Sequence, residues 1–370
     1  MYVRSYGVEE ELLLVDADTL QPSPVAKSTV EAGHRRTDAG HEVTLELQQE
    51  QIEVVCPPRT TLAGQLEAIQ EGRALAREVA SRAGAWPIAL AVSPFPVVPH
   101  TVPAPRPLLL RERFGLTARE QLTCGFHVHV AIGSREEGVA VLDRIRIWMP
   151  VLLALSSNSP FWSGTDTGYH SYRNQLWSRW PTTGPNEVFG SAAAYDEHCR
   201  QLLSSGVPVD ARMLYFDARL SPHLSTVEVR VADVCLDARH AAVLATLVRA
   251  LVEAAARAWH RGAPPLAVGV NVLRAWTWSA SRSGVDGHLV DPWRGVPAPA
   301  GDVVARLLDL VRPVLGEYGE EQTVAAAIGD ILRHGTGARR QREAYRQGGL
   351  AHVLRTAMDA THRQHPIPAR

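Results

Sequence analysis

The run Thr226-Val227-Glu228-Val229-Arg230-Val231-Ala232-Asp233 alternates apolar and polar residues without interruption. Successive strand side chains point to opposite faces, so three valines share one face while Glu228, Arg230 and Ala232 share the other. A helix would scatter these residues around its circumference, so the segment predicts a strand with one core face. The segment 213–221 (MLYFDARLS) precedes it, and Pro222-His223-Leu224-Ser225 reads as the turn of a hairpin. One acid and one base on the polar face suit a solvated salt bridge. They suit equally a carboxylate that holds a metal beside an arginine that meets a phosphate.

Other segments extend the sheet. Residues 2–15 are rich in Val and Leu, as a strand buried on both faces would be, and residues 42–56, 86–99 and 122–132 are further strand candidates. Leu45 and Leu47 are odd-numbered while Ile52 and Val54 are even-numbered, which predicts a bulge in Gln48–Gln51. Helical spacing appears over 61–82 and 135–157, and from Asp237 onward over 237–260, 268–282, 302–316, 321–333 and 338–360. Residues 158–190 read as loop, and 284–301 as a loop or small hairpin. Strands mixed with helices, then helices alone, predict an α+β chain with a mostly antiparallel sheet. The chain is expected to form one domain over residues 1–370, strand-rich over 1–236 and helical over 237–370.

Ionisable residues recur on these strands. In Gly7-Val8-Glu9-Glu10-Glu11, Glu9 and Glu11 share a face and Glu10 takes the other. An exposed acidic edge explains this as well as a divalent cation does. Glu53 lies among Ile52, Val54 and Val55, where an unpaired carboxylate is costly. Past the expected bulge Glu46 joins its face, or is a surface residue. His127 and His129 point the same way in Phe126-His127-Val128-His129-Val130, as metal or catalytic ligands or as paired structural histidines. Arg173 and Arg179 sit among tryptophans in Tyr172–Pro181, suited to an anion or to ring stacking. Gly335-Thr336-Gly337 precedes a basic helix and offers a phosphate cradle or a plain turn.

Several classes are excluded or disfavoured. The net charge of −1 over 370 residues gives no bulk attraction to nucleic acid or an anionic membrane. The start MYVRSYGVEEE has no secretory h-region, and the apolar stretches 139–157 and 241–258 are interrupted by charges, so a cytoplasmic chain is expected. The four cysteines show no C-x-x-C spacing. Phosphate-loop, dinucleotide and G-x-S-x-G signatures do not occur.

Together GVEEELLLVD, TLELQQEQIEVVCPP, TCGFHVHVAI, SYRNQLWSRWPTTGPNEVFGSAAAY, YFDARLSPHLSTVEVRVADVCLDA and HGTGARRQREAY resemble the bacterial carboxylate–amine ligases of the type-2 glutamate–cysteine ligase family. The resemblance implies a glutamine-synthetase-like fold, with an antiparallel sheet curved into a half-open cleft and helices behind it. It implies ATP and Mg²⁺ or Mn²⁺, amino-acid and amine substrates, an acyl-phosphate route to a γ-glutamyl amide, and a homodimer. Carried over by position, Glu9, Glu11, Glu53, His127 and Glu228 hold metal. Arg230, His127 and His129 bind the nucleotide, and Arg230 and Arg173 are catalytic. Cys56 stands where Thr is usual, and His170-Ser171 where Ala-Ser is common. The alternatives are a metal-dependent hydrolase of amides or phosphoesters on the same Glu/His set, and a catalytically silent homologue that only binds.

Overall fold

The computed structural model describes residues 3–31 and 35–367. Tyr2, the first residue of the strand expected over 2–15, lies outside them. The strands in chain order are β1 (Tyr6–Asp16), β2 (Glu42–Leu45), β3 (Gln51–Val55), β4 (Ala85–Ile88) and β5 (Gly125–Ala131). There follow β6 (Phe161–Trp162), β7 (Thr165–Asp166), β8 (Ala218–Leu220), β9 (Thr226–Asp233), β10 (His288–Asp291) and β11 (Val296–Pro299). Seven form one sheet in the order β2-β3-β1-β5-β9-β8, with β4 pairing β1 along Leu13–Asp16. All of its pairings are antiparallel. The remaining strands make two small ribbons, β6-β7 and β10-β11.

Helices cover one face of this sheet. Leu62–Ser81 starts at Thr61, whose side chain accepts from Gly64 N, and buries Leu62, Leu66, Ile69, Ala76 and Val79. Ala238–His260 starts at Asp237, which accepts from Arg239 N, and its alanine-rich buried side lets it lie close to its neighbours. Tyr6 on β1 reaches that helix through a 2.8 Å hydrogen bond to Thr246. One cluster of buried apolar side chains joins Tyr6 and Val8 of β1 to Ala357 and Ala360 near the C-terminal end. The sheet and the later helices therefore stabilise each other through shared apolar burial.

Several expectations are corrected. Residues 42–56 form a hairpin, β2 to β3, instead of one bulged strand. Val43 faces Val54 across it, so odd positions on one strand share a face with even positions on the other. That pairing produces the parity switch, and no bulge is needed at Gln48–Gln51. The real bulge lies in β9, where Arg230 and Val231 together oppose His127 and break the strict alternation. The 135–157 helix is divided into Arg135–Ile145 and Met149–Ser156 by a 3₁₀ turn at Arg146–Trp148, just ahead of Pro150. Of 86–99 only the start is strand, and of 213–221 only Ala218–Leu220. Helices Ala26–Glu31, Pro105–Phe114, Leu116–Arg119, Tyr172–Trp177 and Ala192–Ser204 fall where no helix was expected. The last helix, Gly337–Thr361, is interrupted by non-helical backbone at Gly348 and Gly349.

Candidate active site

The face of the sheet opposite Leu62–Ser81 floors a cleft of about 950 Å³. Registers carry the ionisable side chains across it in a diagonal row. Glu53 on β3 faces Glu11 on β1, Glu9 on β1 faces His127 on β5, and His129 on β5 faces Glu228 on β9. Arg219 on β8 faces Glu228 from the other side. Along β1 and β5 the next partner lies two residues on, so register turns separate short sequence motifs into one continuous polar strip.

Distances along the strip are short. His127 Nδ1 lies 3.2 Å from Glu9 Oε2, and His129 Nε2 lies 3.4 Å from Glu9 Oε1. His127 Nε2 is 3.8 Å from Glu11 Oε1. Gly125 N donates to Glu11 Oε2 at 2.6 Å, and Thr44 Oγ1 donates to Glu53 Oε2 at 3.2 Å. Arg219 Nε donates to Glu228 Oε2 at 2.7 Å, and Arg230 Nη1 donates to Glu228 Oε1. His129 Nδ1 is fixed by Thr226 Oγ1 at 3.0 Å, while His129 Nε2 and Arg230 Nε are buried without a hydrogen-bond partner.

The electrostatics divide the strip into two halves. Burial pushes Glu228 up, but Arg230 and Arg219 outweigh it and hold the carboxyl far below its usual range. Burial likewise opposes ionisation of Glu9, yet the hydrogen-bonded His127 and the nearby His129 ring keep it well below normal. Glu53 goes the other way, well above normal, because burial is joined by repulsion from Glu9, Glu46 and Glu11. Burial and then Glu11 raise Glu46 to about 7. Burial and Arg230 push His127 down; His129 rises because Glu9 overcomes burial. One half is an arginine-clamped carboxylate, and the other is a knot of carboxylates short of positive charge.

Among the described residues three overlapping groups bring possible ligand atoms within 4.8 Å of one another: Glu9, His129 and Glu228; Glu9, Glu53 and His127; and Glu11, Glu46 and Glu53. Five carboxylates and two imidazoles form a donor set suited to a hard divalent cation such as Mg²⁺ or Mn²⁺, and the raised Glu53 and Glu46 show where positive charge is missing.

The structure brings Glu9, Glu11, Glu53, His127, His129, Glu228 and Arg230 into this one cleft. Although its guanidinium lies over the ring of Trp177, which lines the cleft, Arg173 is not itself among the lining residues. It is 2 % exposed, 3.3 Å from Val231 O and 3.8 Å from Asp233, and it packs against Gly125, where an added Cβ would strike the guanidinium. Trp177 and Trp180 line the cleft, while Arg179 pairs with Glu120 at its outside. Gly335–Gly337 is a close-approach turn: a Cβ at Gly337 would strike Asn158, and Ala338 N donates to Ser157 O. Arg219 was missed, although a four-residue turn at Pro222–Ser225 puts it opposite Glu228. Glu46 reaches the acidic knot from the β2–β3 turn, not from a bulged strand.

A family described as "Glutamate-cysteine ligase family 2(GCS2)" matches residues 5–360. The chain belongs to this family. It is accordingly an ATP-dependent carbon–nitrogen ligase. A relative from Paenarthrobacter aurescens named "Putative glutamate--cysteine ligase 2-1" is 49% identical over 366 residues, 97% of this chain and 95% of its own. One from Streptomyces coelicolor, "Putative glutamate--cysteine ligase 2", is 42% identical over 97% of this chain and 99% of its own. The fold is similar to that of the glutamate–cysteine ligase of Francisella tularensis, solved in complex with AMP, with TM-score 0.70, 13% identity and coverage of 100% and 91%. It is also similar to a bifunctional glutathione synthetase from Pasteurella multocida, with TM-score 0.69, 16% identity and coverage of 97% and 52%. The family-2 ligase thus carries the antiparallel sheet with helices behind it that its sequence predicted. Among the described residues no helix is long and apolar enough to cross a membrane.

Proposed function

We propose that the cleft joins the γ-carboxylate of glutamate to an amine by way of an acyl phosphate. The observation that carries this reading is the polar strip itself, in which a carboxylate knot short of positive charge runs into an arginine-clamped Glu228. Glu9, Glu11, Glu53, His127 and Glu228 would hold Mg²⁺ or Mn²⁺, with Glu46 added to the set. Such ions, when bound, would supply positive charge to the nucleotide phosphates and to the γ-phosphoryl group.

The protein's own groups then position and stabilise. The substrate carboxylate attacks the γ-phosphorus and ADP leaves; the amine next attacks the acyl carbon and phosphate leaves, one proton being lost from nitrogen. Arg230, held by Glu228, aims its free Nε and planar fork at oxygens that gain charge during transfer. His127 and His129 present their rings to the nucleotide side of the strip. Arg173, clamped on strand carbonyls, positions β9 and does not touch the reactants. Direct phosphoryl transfer asks the protein to position the reactants and needs no covalent nucleophile. A hydrolase on the same set has less support, because carboxylates outnumber imidazoles as they do at oxygen-preferring metal sites.

The test is ADP release with L-glutamate and a panel of amines, with and without Mg²⁺, and with hydroxylamine to trap the acyl phosphate. Glutamate-dependent hydroxamate is the expected product; Mg²⁺-dependent hydrolysis of an amide without ADP release overturns the reading. A homodimer in the cytoplasm belongs to the same proposal, and light scattering at the mass of one chain at micromolar concentration removes the dimer.

A further inference from the structure

A second pocket lies on the other side of Trp177. It occupies about 200 Å³ between the helices Tyr172–Trp177 and Val270–Ser283, and Trp177 belongs both to its wall and to that of the main cleft. A liquid water takes up about 30 Å³, so this space admits a small polar metabolite and not a nucleotide.

Asp217 lies at its base. The residue is 6 % exposed, and its Oδ2 has no hydrogen-bond partner. Buried carboxyl oxygens are ordinarily satisfied, so one left without a partner on a residue that lines a pocket points to a missing donor. Its backbone is fixed on both sides: Asp217 N donates to Gly184 O at 3.0 Å, and Asp217 O accepts from Arg230 N at 2.8 Å. The open acid is therefore anchored beside the strand position that carries Arg230. Burial lifts the carboxyl to about 7 against the pull of Arg274 and Arg173, so an incoming cation would draw it into its ionised form.

The opposite charge stands on the same pocket. Arg274 lines it from the exposed side of Val270–Ser283, lying over Gly184, where an added Cβ would come 3.9 Å from its Nε. Trp278, 51 % exposed, forms the rim, and Trp177 separates the pocket from the cleft. An acceptor at the base, a cation at the mouth and two indoles between them match one chemistry.

We propose that this pocket binds the α-ammonium and α-carboxylate end of a free amino acid, with Asp217 receiving the ammonium and Arg274 the carboxylate. The other end of that amino acid then lies against Trp177, the wall the pocket shares with the cleft, and that indole would have to turn aside for the amino acid to react. As a step in catalysis this rests on the ligase reading above; as a binding site it does not.

Calorimetry on the full chain tests it, with L-glutamate and L-cysteine as probes, each with and without Mg²⁺ and a non-hydrolysable ATP analogue. One of the two amino acids is expected to bind, and the arms identify which. Its N-acetyl derivative, which lacks the ammonium, should bind at least tenfold more weakly. Asp217→Asn and Arg274→Gln should each weaken the amino acid at least tenfold. Arg274 is exposed, so its variant decides the matter if Asp217→Asn melts early. Wild-type affinity in Arg274→Gln, or no binding of either probe in any condition, overturns the pocket. Weakened binding in the variants with no ADP release by the wild-type protein keeps the pocket and removes the ligase reading. ADP release with unchanged amino-acid KM in both variants does the reverse.

Discussion

The two faces of β1 carry the same residue type to opposite ends. Glu10 points toward the helices, where it is fully buried and receives Arg73 Nε at 2.9 Å and Nη2 at 2.7 Å. Arg73 also donates to the carbonyls of Cys235, Leu236 and Thr361, so its donors tie β1 to the end of β9 and to the C-terminal helix. Glu9 and Glu11, one residue to either side, share the cleft with Glu53 and Glu46 and form no arginine ion pair among the described residues, the more distant field of Arg230 aside. The helix side is saturated and the cleft side is left short of charge. A buried acid whose partner is built in serves the fold, and one whose partner is withheld is available to a ligand.

The largest expected effect lies on the saturated face. Arg73→Ala leaves Glu10 buried and unpaired, and should destabilise the protein by about 3–5 kcal/mol. Urea unfolding measures it. A loss below about 1 kcal/mol would mean that the pair is dispensable and would collapse the contrast between the faces.

The next effect concerns turnover rather than folding. Arg230→Lys keeps the charge and loses the planar fork, and should lower kcat by about 100-fold, near 3 kcal/mol, with ATP Kd changing far less. Glu228→Gln should instead weaken Mg²⁺-dependent ATP binding. ADP release alongside ATP titration separates the two variants. Near-wild-type kcat in a folded Arg230→Lys protein would make Arg230 only the salt-bridge partner of Glu228.

How legible each face was follows from the same geometry. Local alternation revealed that Glu9 and Glu11 face away from Glu10, that His127 and His129 share a side, and that Glu228 and Arg230 do too. Those facts need only the two-residue strand period. What alternation cannot supply is register. A hairpin of β2 and β3 and one bent strand show the same parity switch, so alternation brings Glu46 to Glu53 without revealing that it comes from a turn. The β9 bulge was invisible because it depends on His127 across the strand pair, not on the sequence of β9. Arg173 reads from its neighbours in sequence as an anion binder or a ring-stacking partner; the structure shows it over Trp177, while the β9 carbonyls beside it leave no local signal. Asp217 carried no sequence signal beyond being one acid ahead of a strand; only burial without a partner singles it out.

The smallest effect is the most direct probe of the missing charge. The Glu46 carboxyl sits at about 7 in the folded protein against 4.5 for an unperturbed glutamate, through burial and then Glu11, and Glu53 is shifted the same way. A raised acid stabilises the fold fully below its unfolded value, and that contribution is lost as pH climbs through the folded one. In divalent-free buffer the wild-type melting temperature should therefore fall between about pH 4.5 and 7, relative to Glu46→Gln or Glu53→Gln, because the folded knot resists ionising while the unfolded chain does not. Above that window Glu53→Gln should melt higher than the wild type, having one repelling carboxylate fewer. Saturating Mg²⁺ should reverse the order, restoring the wild type above pH 7 and helping Glu53→Gln less. Thermal melts across pH with and without Mg²⁺ read all of this. If Mg²⁺ shifts wild type and Glu53→Gln equally, the acidic knot is not where the cation binds, and the cleft face of β1 loses the role that distinguishes it from the face carrying Glu10.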